Sequence, residues 1–249
     1  MKTIEDKTIA VWFSNGAASA VAAKLIVDEY AKENNVIIVN NPVKEEDEDN
    51  IRFKEDVSNW INHPIIEAKN KNFPNASIIE VFDKKKYMSG INGAPCTMEL
   101  KKNARYQFEL SNNIDYHVLG FPIDEWERQK NFNTAERSNT IPILCHNLIT
   151  KRDCFKILAK SKIDIPRIYS FGFPNANCIG CVKATSPTYW NLVRKTYPDV
   201  FEQRAEQSRR IGCKLVRVKN KRIYLDELKP TDIGGKIKSW ECGIFCNSK

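Results

Sequence analysis

The sequence predicts an α/β protein built on a doubly wound, mostly parallel sheet with helices on both faces and an irregular, cysteine-containing C-terminal tail. Three observations lead there. Short runs rich in β-branched residues alternate with helical patterns along the first half of the chain. Those runs are apolar throughout, as strands buried on both faces are, instead of alternating apolar with polar. No repeat, low-complexity tract or Gly/Ser linker interrupts the alternation.

Thr8–Phe13 (Thr-Ile-Ala-Val-Trp-Phe) is the first expected strand, and alanine-rich Ala17–Tyr30, apolar at helical spacing, the first helix. Residues 36–39 (Val-Ile-Ile-Val) predict a second buried strand. Residues 51–61, with Arg52, Phe53, Val57 and Trp60 giving two faces, predict a helix. A third strand is expected over 77–82, a helix over 99–110 and a fourth strand over 116–121. Right-handed crossovers between such strands place the ligand crevice at their carboxyl ends. After Thr140 the character changes. Segments 141–144 and 152–161 and a loop around Pro166 and Pro174 lead to Cys178. Residues 189–212 predict a basic helical stretch and 214–225 a hairpin of short strands, ahead of an irregular tail of roughly 20 residues.

Composition bounds the function. With 249 residues, 42% hydrophobic and 28% charged, the chain has core enough for a globular protein. No apolar run approaches the roughly 18 residues that span a bilayer, and the first residues, Met1 to Lys7, lack a secretory apolar stretch. A cytoplasmic protein without a membrane partner is expected. Eight cysteines in a reducing compartment point to metal binding or chemistry more than to disulfides. The net charge of +8 suits a polyanionic partner, from a phosphorylated small molecule to a nucleic acid, and equally a solvated basic surface.

The first expected strand runs straight into Ser14-Asn15-Gly16-Ala17-Ala18-Ser19 and a helix. Backbone N–H groups at a helix start converge on one space, and the helix dipole makes that space positive, so this is anion-binding geometry. Ser14 and Ser19 supply hydroxyls, Gly16 lets the chain turn sharply, and Ala17 and Ala18 keep the approach clear. No Walker pattern is present. Asn40 and Asn41, past the second strand, are placed either to meet an adenosine or to form a turn.

Downstream, Asn177-Cys178-Ile179-Gly180-Cys181-Val182-Lys183 is a Cys-x-x-Cys knuckle with an internal glycine, a spacing that lets two thiolates share one metal centre. Cys96, after Pro95, is expected at a helix N-terminus that stabilises its thiolate. The tail adds Glu241-Cys242-Gly243-Ile244-Phe245-Cys246. Cys145, Cys154 and Cys213 have no partner near in sequence and read as small buried hydrophobes. The expected organisation is a nucleotide-binding α/β domain over residues 1–200 carrying the knuckle. An extension over 201–249, with Cys242 and Cys246, packs on it.

Together these segments resemble the phosphoadenosine phosphosulfate reductase family of the adenine-nucleotide α-hydrolase-like (HUP/PP-loop) superfamily. Four features carry the resemblance, which spans about residues 8 to 246. They are the Ser14-x-Gly16-x-x-Ser19 loop, the segment Cys96 to Lys102, Gly120 followed by Asp124-Glu125 and Arg128, and Cys178-x-x-Cys181 with the terminal Glu241-Cys242-Gly243-Ile244.

The resemblance implies an adenine (sulfo)nucleotide whose phosphate rests on Ser14, Asn15, Gly16, Ala17 and Ser19, with Asn40 alongside. It implies Cys242 as the nucleophile, Lys101 and Arg128, with Lys183, as stabilising cations, and a thiol reductant such as thioredoxin as partner. Cys96, Cys178 and Cys181 are the implied ligands of a [4Fe–4S] cluster with an open iron site, zinc being the competing metal. The chain departs from the family in two places. Pro95-Cys96 stands where cluster-bearing reductases have Cys-Cys, and Phe245-Cys246 stands where they usually have His. This leaves three alternatives: three cysteines with an open iron site, a fourth ligand from Cys242 or Cys246, or Cys246 resolving Cys242 through a disulfide. Three readings follow: a sulfonucleotide reductase-like oxidoreductase, an ATP-dependent PP-loop sulfurtransferase that thiolates a nucleic-acid base, and a non-catalytic nucleotide or nucleic-acid binding protein. A homo-oligomer is compatible with each.

Overall fold

The computed structural model describes residues 4–91, 93–235 and 237. The chain forms two compact units, each assembled from separate segments. The first comprises the described residues up to Pro42, then Glu48–Lys69 and Ala104–Arg167; the second comprises Val43–Asp47, Asn70–Asn103 and the described residues from Ile168 onward.

The first unit is a four-stranded sheet of β1 (Thr8–Phe13), β2 (Asn35–Asn40), β3 (Ile65–Glu67) and β4 (Tyr116–Leu119), in spatial order β3-β2-β1-β4. Every pairing is parallel, with Thr8 opposite Asn35, Ile9 opposite Tyr116 and Ile38 opposite Ile65. The chain therefore winds outward from β1 through β2 to β3, then returns to the other side of β1 as β4. That reversal puts a topological switch point at the carboxyl end of β1. The helices of the unit are α1 (Ala17–Tyr30), α2 (Asp49–Ile61), α4 (Ala104–Leu110), α5 (Trp126–Ala135), α6 (Ile143–His146) and α7 (Lys151–Lys160).

Both faces of β1 are covered. Ile9, Val11 and Phe13 share one buried core with Ala20, Ala23 and Ile26 of α1, Phe53 and Val57 of α2, and Leu158 of α7. On the opposite face Trp12 packs edge-on against Phe108 of α4, with ring centroids 6.0 Å apart, and its indole N–H donates to His117 Nδ1. Burial holds His117 down to a pKa of about 4, so it is the neutral acceptor this bond needs.

The second unit contains α3 (Ile78–Lys85), α8 (Pro187–Thr196), α9 (Pro198–Ile211) and an antiparallel hairpin of β5 (Val216–Val218) and β6 (Lys221–Ile223). Its core gathers Phe82, Met88, Cys96, Cys178, Cys181, Trp190 and Leu215. A π-helical segment, Thr97–Asn103, precedes α4 in the chain.

Two sequence expectations change. Residues 77–82 are not a strand: they start α3, because Ser77 caps it by accepting from the Glu80 N–H, and Ile78, Val81 and Phe82 bury one helical stripe. The remaining strand of the sheet is the short β3 instead. The basic stretch 189–212 is two helices. Pro198 has no N–H to continue a helix and disfavours helical backbone at Tyr197, which sits at φ −137°, ψ 69°. Of the expected irregular tail, the described part up to Gly235 has no helix or strand after Glu227, and Gly234 is tied to Thr188 by hydrogen bonds of 2.9 and 3.0 Å. The part with Cys242 and Cys246 lies outside the described residues. Among the described residues no helix is long and apolar enough to cross a membrane.

Candidate functional site

In the first unit the segment Ser14–Ser19 leaves the carboxyl end of β1 and enters α1. Asn15, at φ 58°, makes the left-handed turn, while Gly16 is the extended N-cap residue at φ −104°. The sharp turn expected of Gly16 is thus made by Asn15, a residue type that tolerates this conformation. Ser19 Oγ ties the loop together: it accepts from the Ser14 N–H at 3.1 Å, lies 3.2 Å from Ser14 Oγ and donates to the Gly16 carbonyl at 2.9 Å. No side chain caps α1 and no acidic residue occupies its first turn. The helix start thus keeps its positive end, with no carboxylate to repel an anion or hold a magnesium ion.

Two neighbours shape this loop. Asn40, at the end of β2, donates to the Phe13 carbonyl at 2.9 Å, and its own Oδ1 is buried with no hydrogen-bond partner among the described residues. Gly120, just after β4, lies so close that a Cβ there would sit 2.6 Å from Ser19 N and 2.9 Å from the Ala18 carbonyl carbon. Both are backbone atoms that cannot swing aside. Gly120→Ala is therefore expected to push the loop off its position and cost about 1–3 kcal/mol of stability. Adenine-nucleotide titration calorimetry should show binding lost while circular dichroism still reports a folded chain; unchanged affinity would show that the loop does not bind the nucleotide. Arg128, in α5, pairs with Glu125 Oε2 at 2.6 Å and lies over the Phe121 ring.

In the second unit the knuckle is built by a left-handed Gly180 at φ +67°. A Cβ there would also press on the Val200 Cγ1 methyl at 3.3 Å, so both the backbone conformation and the local packing favour glycine. Tyr189 of α8 fixes the far end by accepting from the Cys181 N–H at 2.8 Å, and the Ile179 N–H donates to the Glu45 carbonyl at 2.8 Å. Both thiols are buried. A hydrogen bond from Cys178 lowers the Cys181 thiol to a pKa of about 6; burial opposes this, while the Lys183 charge and backbone N–H and the Arg204 charge help it.

Arg204 is a candidate site residue that the sequence reading missed. It is 1% exposed, on the face of α9 that buries Phe201, Ala205 and Ser208. Its guanidinium donates to Gln207 Oε1 and lies over the Phe82 ring, while Nε has no hydrogen-bond partner among the described residues. Burial pulls its pKa down, and the neighbouring Cys178, Glu45, Cys96 and Cys181 pull it back up. One buried cation is therefore within electrostatic reach of all three thiols. The available signal was an arginine at helical spacing among apolar residues, where a solvated charge does not belong.

Cys96 occupies the first turn of the helix that starts at Pro95, in the same core as the knuckle. Lys101, in the π-helical segment, pairs with Glu46 at 3.3 Å. Cys242 and Cys246 lie outside the described residues. Among the described residues no group of three His, Cys, Asp or Glu side chains is placed to hold a metal ion.

The fold is similar to that of two solved structures. Phosphoadenylyl-sulfate (PAPS) reductase from Candida auris, in a phosphate complex, matches at 10% identity over 68% of this chain and 80% of that one, with a TM-score of 0.48. The U34-tRNA thiolase NcsA from Methanococcus maripaludis, with its [4Fe–4S] cluster, matches at 12% identity over 87% of this chain and 76% of that one, with a TM-score of 0.47. No protein-family model and no curated protein matches the sequence.

Proposed function

We propose that the chain is an adenine-nucleotide-binding enzyme of sulfur chemistry, of the sulfonucleotide reductase type. The observation that favours this over an ATP-dependent reading is the α1 entry: an uncapped, positive helix start with Ala18 and no carboxylate in its first turn. Such a loop suits a phosphate or sulfate ester bound without a magnesium ion.

In this reading the Ser14–Ser19 loop grips the nucleotide phosphate, with Asn40 alongside. The thiolate of Cys242 attacks the sulfur of the sulfonucleotide: an S–S bond forms, the sulfur–oxygen bond to phosphate breaks, and the nucleotide leaves with that electron pair. A dithiol reductant such as thioredoxin then supplies two electrons, releasing sulfite, restoring Cys242 and becoming a disulfide. Lys101, Lys183 and Arg128 are proposed to steady the developing negative charge. Cys96, Cys178 and Cys181 are the proposed ligands should a [4Fe–4S] cluster or zinc be present. No step is assigned to a metal, because among the described residues no group of three such side chains is placed to hold one.

The test is sulfite release from an adenosine sulfonucleotide with thioredoxin. Activity is expected in the native chain and a loss of at least about 1,000-fold in Cys242→Ser, which removes the nucleophile. ATP-to-AMP turnover stimulated by nucleic acid, with no sulfite, would instead establish the sulfurtransferase reading. A specific observation keeps that second reading open: the basic groove described next.

A further inference from the structure

Beside the β5–β6 hairpin of the second unit, a groove of about 610 Å³ is lined by Lys86, Lys214, Arg217 and Arg222, with Tyr87 and Ile91 on its wall. Among the described residues no carboxylate lines it. None of the four cations makes an ion pair with a described carboxylate; Arg222 donates to the Leu215 carbonyl, and Lys214 lies over the Tyr224 ring.

The hairpin register is more telling. Arg217 stands directly opposite Arg222 across the two strands. Side chains so paired leave the same face at close range, and like charges there destabilise the hairpin. Burial lowers the Arg222 pKa, and the Arg217 charge lowers it further. The turn adds Lys219, and the first residue of β6 is Lys221. A two-stranded ribbon is marginally stable by itself, so carrying this repulsion with no ion-paired carboxylate among the described residues has a structural cost that an external anion would remove.

We propose that this groove is a docking track for the phosphodiester backbone of a nucleic acid. The cations are long and spread over both strands and the turn. A site for one small phosphate would gather a few buried, preorganised donors instead. Exposed Ile91 and the partly exposed Tyr87 ring add an apolar surface of the kind on which bases stack. The net charge of +8 favours the same partner at long range. The inference does not rest on the reductase reading, and its failure would leave sulfite release untouched.

The experiment is fluorescence anisotropy of the full chain with a labelled single-stranded RNA of mixed sequence, titrated over a series of salt concentrations. The paired variant Arg217→Gln/Arg222→Gln is expected to weaken binding at least about tenfold at low salt. It should reduce the slope of log K against log salt by roughly 1.4, about 0.7 for each lost phosphate contact on a single strand. Because it relieves a repulsion, this variant should melt no lower than the native chain, which separates lost binding from lost folding. Lys156→Gln/Lys160→Gln, equal in charge change but on α7, should leave affinity and slope nearly unchanged. Equal weakening by both pairs would overturn the proposal, since net charge alone would then explain binding. So would competition by inorganic phosphate or by polyglutamate as effective as by unlabelled RNA.

Discussion

Replacing Cys178 with alanine is expected to raise the Cys181 thiol from a pKa of about 6 to above neutrality and to cut its thiolate population at pH 7 at least about tenfold. The Cys178 hydrogen bond is the largest lowering influence on Cys181, ahead of Lys183 and Arg204, and burial works against all of them. Removing the donor leaves burial in place and the balance tips upward. Serine keeps an O–H donor at the same position, so Cys178→Ser should shift the titration less than alanine does. The measurement is ultraviolet thiolate absorbance against pH on metal-free, reduced protein, with Cys181→Ser subtracted to isolate one thiol. An alanine variant that titrates like the native chain would mean that the knuckle does not activate Cys181. Because a thiolate is both nucleophile and metal ligand, the same variant should lose metal uptake near neutral pH if the pair holds a metal.

Much of the architecture was legible because burial writes itself into composition. Thr8–Phe13 and Ala17–Tyr30 emerged with the bounds the sequence predicts, since a strand covered on both faces is apolar throughout and an alanine-rich helix packs close to it. The segment 77–82 misled for the same reason. Ile78, Ile79, Val81 and Phe82 are as apolar as a strand, and the deciding signal was the Ser77-x-x-Glu80 start, a local capping pattern. β3 escaped notice because three residues of a partly exposed edge strand leave no periodicity to find. At the candidate site the loop and the cysteines were visible as motifs, each continuous in sequence. Gly120 was visible as part of the resemblance, but its role was not. Only the fold shows that the backbone from Ala18 to Ser19 passes 2.6 to 2.9 Å from where a Cβ at Gly120 would be. Arg204 was hidden for a comparable reason: a basic helix looks solvated until one of its arginines is found buried.

The buried arginine yields the second large effect, one that grows with pH. In the native chain Cys181 ionises at about pH 6, whereas a cysteine in the unfolded chain ionises at about 8.5. Well below pH 6 the thiol is protonated in both states and contributes nothing. Between the two values the folded state holds the charge that the unfolded state does not, so stability rises with pH. It is fully present above the unfolded value and lost as pH falls through 6. Arg204→Met removes the cation within electrostatic reach of Cys178, Cys96 and Cys181. The Cys178 hydrogen bond and Lys183 remain, so the Cys181 thiolate loses one of its supports, its pKa rises, and each unit of that rise removes about 1.4 kcal/mol of the high-pH stabilisation. The variant also strands the Gln207 acceptor, a cost of about 1–3 kcal/mol that does not change with pH. Denaturant unfolding of metal-free, reduced protein should therefore show a modest, constant deficit below pH 6 and one that widens steadily toward pH 9. Arg204→Lys retains the charge without the forked geometry, so it should lose stability at every pH while keeping most of the native slope. A deficit in Arg204→Met that stays flat across this range would mean that Arg204 serves packing alone, through Phe82 and Gln207, and that the knuckle thiolates are balanced by other cations.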